Sequence, residues 1–231
     1  NFRMEGSEWI NGLEQTVALV VDTVQTRLLA GLKNIEKDVE PKLQVAAAGQ
    51  LITSELLIGN ERLQTLAKKG MENLYTVGLH FGQDVFAYQI DSGALTTNAS
   101  LKINTNVKML EDRFVLKVAE QLSKIIDGNA NVTLSQIISA IPPIFVAART
   151  SCATLALSAG HELFRAAFVS VMGEPNVMED ITAIEFLVPR GLKACKNCEA
   201  HNFKVMSPKK FEFENCHSCD TVYRFHFADE E

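Results

Sequence analysis

The chain has no surplus of positive charge. Against 22 Lys and Arg stand 28 Asp and Glu, a net charge of −6 over 231 residues. That balance argues against a general nucleic-acid coat. The start shows neither a signal-peptide pattern nor a cationic amphipathic targeting helix. The residues Asn1-Phe2-Arg3 ahead of Met4 fit either a native start at Met4 or a processed chain. Without an export signal, the triplets Asn98-Ala99-Ser100 and Asn131-Val132-Thr133 read as chance matches to the glycosylation pattern. There is no internal repeat, no low-complexity tract and no phosphate-binding glycine loop. His161-Glu162 begins like a metalloprotease helix, but Arg165 stands where the second His would be, which excludes that motif. Cys152 and His161 have no assignable third group to position them, so they make no case for a thiol nucleophile. No catalytic motif is visible, and the expectation is a non-enzymatic protein.

What is present is mostly helix. Apolar residues make up 47% of the chain, enough to bury a sizeable core. From about Glu8 to Glu40, with Ser7 as N-cap, apolar residues recur at Ile10, Leu13, Val17, Val20, Val24 and Leu28, and continue to Val39. Such a stripe serves either the chain's own core or a coiled-coil-like contact with another helix. Here those six residues are taken as a homo-oligomer interface. Pro41 breaks the helix. A second helical region spans about Lys42 to Leu79. Its glycines, Gly49, Gly59, Gly70 and Gly78, predict either close helix crossings or several short helices, with a break near Gly59-Asn60. Val85 to Ile90 reads as a strand, and the Thr- and Asn-rich stretch Thr96 to Asn106 as loop or weak hairpin. A clear helix follows over 107–127, ended by Gly128. Thr133 and Gln136 form a capping-box pattern ahead of a short helix that stops at Pro142-Pro143. The next helix, 144–172, is crowded with small residues and is placed at the centre of the body. From Leu134 to Gly160 Arg149 alone is charged, which raises a membrane reading. Pro142-Pro143, the Ala, Ser and Thr content and Arg149 favour a buried helix pair instead.

After Pro175 the pattern changes. Ile181 to Val188 reads as a strand. Then come Cys195, Cys198, Cys216 and Cys219, two C-x-x-C pairs with 17 residues between them. Two thiolates three positions apart grip one metal ion from a tight turn, and two such turns complete a tetrahedral shell. Phe203, Val205, Phe211, Phe213, Tyr223, Phe225 and Phe227 alternate with polar residues, a strand pattern, with strands expected near 202–206, 211–214 and 221–227. Over roughly residues 190–229 this spacing and alternation resemble the zinc-ribbon class of small modules. The resemblance implies one structural zinc held by those four cysteines. One departure stands out: Glu199 and Asp220 follow the second cysteine of each pair, where such ribbons often carry Gly, so the turns must be shaped differently. Four thiolates leave no open position for water, so the metal is structural rather than catalytic. Two disulfides or a dithiol redox site are the other readings of the same cysteines.

The fold class expected is therefore mainly α: a helical bundle over 1–175, then a strand and a small β zinc ribbon over 176–231. Cys152, unpaired in an apolar run, suits a small buried side chain, and the cysteine pattern suits a reducing, cytoplasmic compartment. The function expected is a scaffold, matrix or assembly component. It would self-associate through its helices and dock a protein partner through the ribbon. A second possibility is single-stranded nucleic-acid binding by Lys204, Lys209 and Lys210 beside the ribbon aromatics. The acidity of the rest of the chain disfavours that reading, as the sequence features above disfavour a membrane-associated one.

Overall fold

The computed structural model describes residues 2–89, 95–187, 205–206 and 222–227, with side-chain packing over 6–89 and 95–181. It is mainly helical. Helix α1 runs Phe2–Asp38, α2 Pro41–Phe86, α3 Thr97–Glu111, α4 Lys117–Asp127, α5 Leu134–Met172 and α6 Pro175–Asp180. Strands β1 (Ile181–Leu187), β2 (Val205–Met206) and β3 (Val222–Phe227) follow.

The joint between α1 and α2 is set by Pro41. Proline lacks the N–H that the first turn of a helix leaves unbonded, and it disfavours helical backbone at the residue before it. Gln44 then ties the joint together: its Nε2 donates to the carbonyls of Val39 (2.9 Å) and Glu36 (3.2 Å), which the end of α1 leaves open.

One compact unit comprises Ser7–Leu74 and Leu95–Leu163. It is a bundle of four helical rods, from α1, α2, the α3–α4 pair and the first part of α5. The stripe Ile10, Leu13, Val17, Val20, Val24 and Leu28 is buried in its core, each residue at most 4% exposed. This corrects the assignment of those six residues to a surface shared with a second copy. The reason is the close approach of α1 and α2. A Cβ on Gly59 would lie 2.5 Å from Val24, one on Gly70 2.8 Å from Leu13, and one on Gly31 2.6 Å from Leu51. Gly59 and Gly70 of α2 thus mark helix crossings, and α2 runs unbroken through Gly59-Asn60 for 46 residues.

Three further expectations are corrected. Val85 and Phe86 are the last residues of α2, not the start of a strand. The stretch from Thr97 is helix α3. Thr96 is its N-cap, accepting a hydrogen bond from the Ala99 N–H at 3.2 Å. Inside it, Thr105 Oγ1 and Asn106 Nδ2 donate to the carbonyls four residues back, of Leu101 and Lys102, so these polar side chains do not unwind the turn. Ala99, Ile103, Asn106 and Leu110 form its buried face at helical spacing. Finally, α5 does not stop at Pro142-Pro143 but passes through both. The prolines are exposed, so the carbonyls they leave unbonded can be hydrated, while Ile137, Ile141, Phe145 and Ala148 anchor the opposite face in the core. The Thr133–Gln136 capping box forms as expected: the Thr133 N–H donates to Gln136 Oε1 (2.9 Å) and the Gln136 N–H to Thr133 Oγ1 (3.3 Å).

Between α3 and α4 lies one π-helical turn, Asp112–Leu116. Leu110, Phe114, Val118 and Leu122 are all buried and recur every four residues. In a regular helix that spacing drifts around the axis; a wider turn absorbs the drift and keeps all four on the core side.

The second unit comprises 1–6, 75–94 and 164–231. Phe81 stacks at a tilt on Phe164 and Phe168 (centroids 5.9 and 5.8 Å), and Phe86 on Phe168 (5.2 Å). Gly78 and Gly82 let this part of α2 approach Phe164, Ala167 and Val171 of α5. In the sheet, β1 is central and antiparallel to both neighbours, in the order β2-β1-β3. Glu185 pairs with Val205 on one side, and Leu187 with Val222 and Ile184 with Phe225 on the other, with an irregularity between Ile181 and Ala183.

Candidate functional site

The four cysteines expected to hold zinc, Cys195, Cys198, Cys216 and Cys219, lie outside the described residues. So do Lys204, Lys209 and Lys210, and the strand expected near 211–214. The described strands bracket the cysteines: β1 precedes both pairs, β2 lies between them, and β3 follows the second. Among the described residues, no three His, Cys, Asp or Glu side chains gather closely enough to hold a metal ion.

The fifth cysteine sits apart from that chemistry. Cys152 is fully buried on α5, its Sγ 4.0 Å from the carbonyl oxygen of Leu110. Burial pushes its thiol up to about 11, against the opposing pull of Arg113 and Lys117. A thiol so rarely ionised at neutral pH is a poor nucleophile, so Cys152 serves as a small core side chain.

Helix α5 is, among the described residues, the one long and apolar enough to cross a bilayer. In this fold Phe145, Cys152, Ala156 and Leu163 on it are buried within the protein. Its lone charge in the apolar stretch, Arg149, bonds through Nε to Asp22 Oδ2 of α1 at 2.9 Å. Gly160 admits Ile10 and Leu74 against its backbone. The small residues of α5 are used for close packing.

Polar side chains between the rods fasten the bundle. Glu111 accepts hydrogen bonds from Asn60 and Gln64 of α2 (both 3.2 Å). Arg27 of α1 meets the buried carboxylate of Glu55 on α2 at 3.0 Å. Lys102 Nζ lies 2.8 Å from Glu162 Oε1, which occupies the glutamate of the incomplete His161-Glu162 motif in an ordinary ion pair. On the outer face of α4, Lys124 bonds Glu120 and holds its carboxyl below the usual range. Each of these groups has a structural partner.

Among the described residues, several hollows open on the bundle, and three of them lie between helices. The first is an apolar groove of about 490 Å³ between α2 and α4, floored by Ile52, Leu56, Val115 and Leu122. The second, of about 410 Å³, lies between α1 and α2 beside the half-exposed Trp9, with Gly12 and Gly70 in its walls. The third, of about 140 Å³, lies between the π turn, α4 and α5. Arg113 and Lys117 line it, and Arg113 donates to the Ser151 carbonyl at 3.2 Å. Sequence reading singled out none of them, because each is made by residues from separate helices that share no local pattern. Compared with protein-family models, with curated proteins and with solved structures, the chain matches none.

Proposed function

We propose that this protein is a non-catalytic scaffold or assembly component: a rigid helical bundle carrying a small zinc-stabilised β module through which it docks a protein partner. The observation that carries this reading is the pair of C-x-x-C motifs, Cys195/Cys198 and Cys216/Cys219. Their spacing suits four thiolates around one tetrahedral ion with no open coordination site. The strand order supports it: β2 and β3, to either side of the second pair, both join β1. A module of this size has too little core to be secure alone, and bound metal would supply the missing stability. The bundle supports the scaffold half of the reading. Its three long helices, of 37, 46 and 39 residues, are held by polar pairs and by close glycine crossings.

Metal content tests the proposal. Native mass spectrometry of the full chain should show one zinc per chain. Replacing Cys195 and Cys216 by Ser should abolish it, and a strong chelator should melt the C-terminal module while the bundle keeps its helical signal. A metal-free chain lighter by about four hydrogens would mean two disulfides instead and would overturn the proposal.

A further inference from the structure

The hollow of about 140 Å³ between the π turn, α4 and α5 gathers positive charge on an otherwise acidic chain. Arg113, Lys117 and Gln121 line one wall, and Ala147, Ala148 and Ser151 of α5 the other. Among the described residues, no Asp or Glu lines it. Asp112 and Glu120 are the acids beside it in sequence, and neither belongs to its wall; Glu120 is bonded to Lys124. Neither Arg113 nor Lys117 has an ion-pair partner among the described residues. The thiol of Cys152, near enough for both cations to act on it, stays neutral and does not answer their charge.

The local backbone collects the three donors. They stand four residues apart, a spacing that drifts around the axis of a regular helix. Arg113 lies within the π turn Asp112–Leu116, and Lys117 directly follows it. The wider turn takes up part of the drift and keeps the three side chains on one wall. Turns of this kind are rare and often mark functional sites. Across the hollow, the small side chains of Ala147 and Ala148 leave the space open. Arg113 is half-buried, and its Nη1 donates to the Ser151 carbonyl at 3.2 Å. That bond fixes the guanidinium against α5 and uses one of its five N–H donors.

Charge and size identify the ligand. Two cations and an amide, with no carboxylate among them, suit an anion. The hollow is well below the roughly 300–1,000 Å³ of a pocket for a drug-sized molecule. It has room for a single ionic group, not for a nucleotide or a peptide. A carboxylate brings one charge and two oxygens. A phosphate group brings nearly two charges and three strong acceptor oxygens, which matches two cations and three donor side chains. We propose that this hollow binds a phosphate group, held by Arg113 and Lys117 with Gln121 as a neutral donor. The site goes beyond the scaffold reading and does not depend on its zinc.

Titration of the full chain with inorganic phosphate, followed by proton–nitrogen NMR at constant ionic strength, tests the proposal. The Arg113 Nε–H, the Gln121 side-chain amide and the backbone over 113–121 and 147–151 should shift together and saturate at millimolar phosphate or below. A second titration, with glycerol phosphate, distinguishes the source. Saturation of the same signals by both ligands means that the site takes the phosphate end of a larger molecule; saturation by inorganic phosphate alone means that it takes the free ion. Lys117 is exposed, so Lys117→Gln should keep the wild-type melting temperature while weakening binding at least about tenfold. Lys68→Gln removes the same charge from an exposed position on α2 and should leave the affinity unchanged. No saturable shift up to tens of millimolar would overturn the proposal. So would shifts scattered over the surface lysines, or equal losses in Lys117→Gln and Lys68→Gln, since either means general attraction of anions. A metal-free chain that still binds phosphate through Lys117 would overturn the zinc reading and leave this one standing.

Discussion

Replacing Phe114 by alanine is expected to lower the unfolding free energy by about 3–5 kcal/mol, the cost of emptying a well-packed aromatic site. Phe114 is fully buried and sits on the π turn. Its ring meets Phe145 of α5 edge-on at 6.0 Å and 75°. On its other side it lies over Gly59 of α2, where an added Cβ would be 3.4 Å from it. One side chain thus joins three rods, and little around it can collapse into the space it leaves. Domain stabilities are typically about 5–15 kcal/mol, so the variant loses a large part of the total. Urea unfolding followed by helical circular dichroism measures this directly. A loss below about 1 kcal/mol would show that Phe114 is not a keystone of the bundle. The more conservative Phe114→Leu should recover much of the loss, because volume rather than ring chemistry dominates the term.

The second large effect is a reversal of sign. Gly→Ala within a helix ordinarily stabilises by about 1 kcal/mol. At Gly78 it should destabilise by about 1–3 kcal/mol, the usual cost of overpacking. A Cβ there would lie 2.6 Å from the Phe164 carbonyl oxygen and 2.8 Å from the Ala167 Cβ. Neither is the far end of a flexible side chain, so the helices themselves must separate. Gly49→Ala is the matched control: with open space around the new methyl, it should stabilise by the ordinary amount. Thermal unfolding of the two variants at equal, low concentration checks the contrast. Equal shifts in the same direction would mean that α2 and α5 do not pass so closely at Gly78.

Much of the helical body is legible in the chain. Period-3.6 stripes and the break at Pro41 are local signals that produce the elements they predict, and the Thr133–Gln136 capping box opens a helix, though one far longer than the short one expected. Two of the errors are of one kind. Thr96–Asn106 looks like a loop by composition, yet its polar side chains bond back to the helix and its apolar residues fall on one face. Pro142-Pro143 looks like a stop, yet the prolines are exposed and the opposite face is anchored in the core. In both places, packing of the apolar face outweighs a local preference worth about 1–3 kcal/mol.

The candidate sites divide along the same line. The cysteine pairs are a sequence motif: the proposed metal reading rests on the C-x-x-C spacing alone and is made without a fold. The basic hollow between α4 and α5 is not a motif. Arg113, Lys117 and Gln121 have the same polar character as the residues around them, and nothing local says that Ser151 stands opposite.

By itself, then, the sequence determined that this protein is mostly helix, where the chain turns between α1 and α2, and which cysteines form C-x-x-C pairs. These follow from backbone sterics, helical period and ligand spacing, all interactions within a few residues. Only the tertiary structure decided the allocation of faces. It placed the α1 stripe, which composition alone could equally give to a partner, inside the bundle, because Gly31, Gly59 and Gly70 let α2 close over it. It set Arg113 and Lys117 across a hollow from α5. A helix has one period but several faces, and which of them meets water depends on how its neighbours pack.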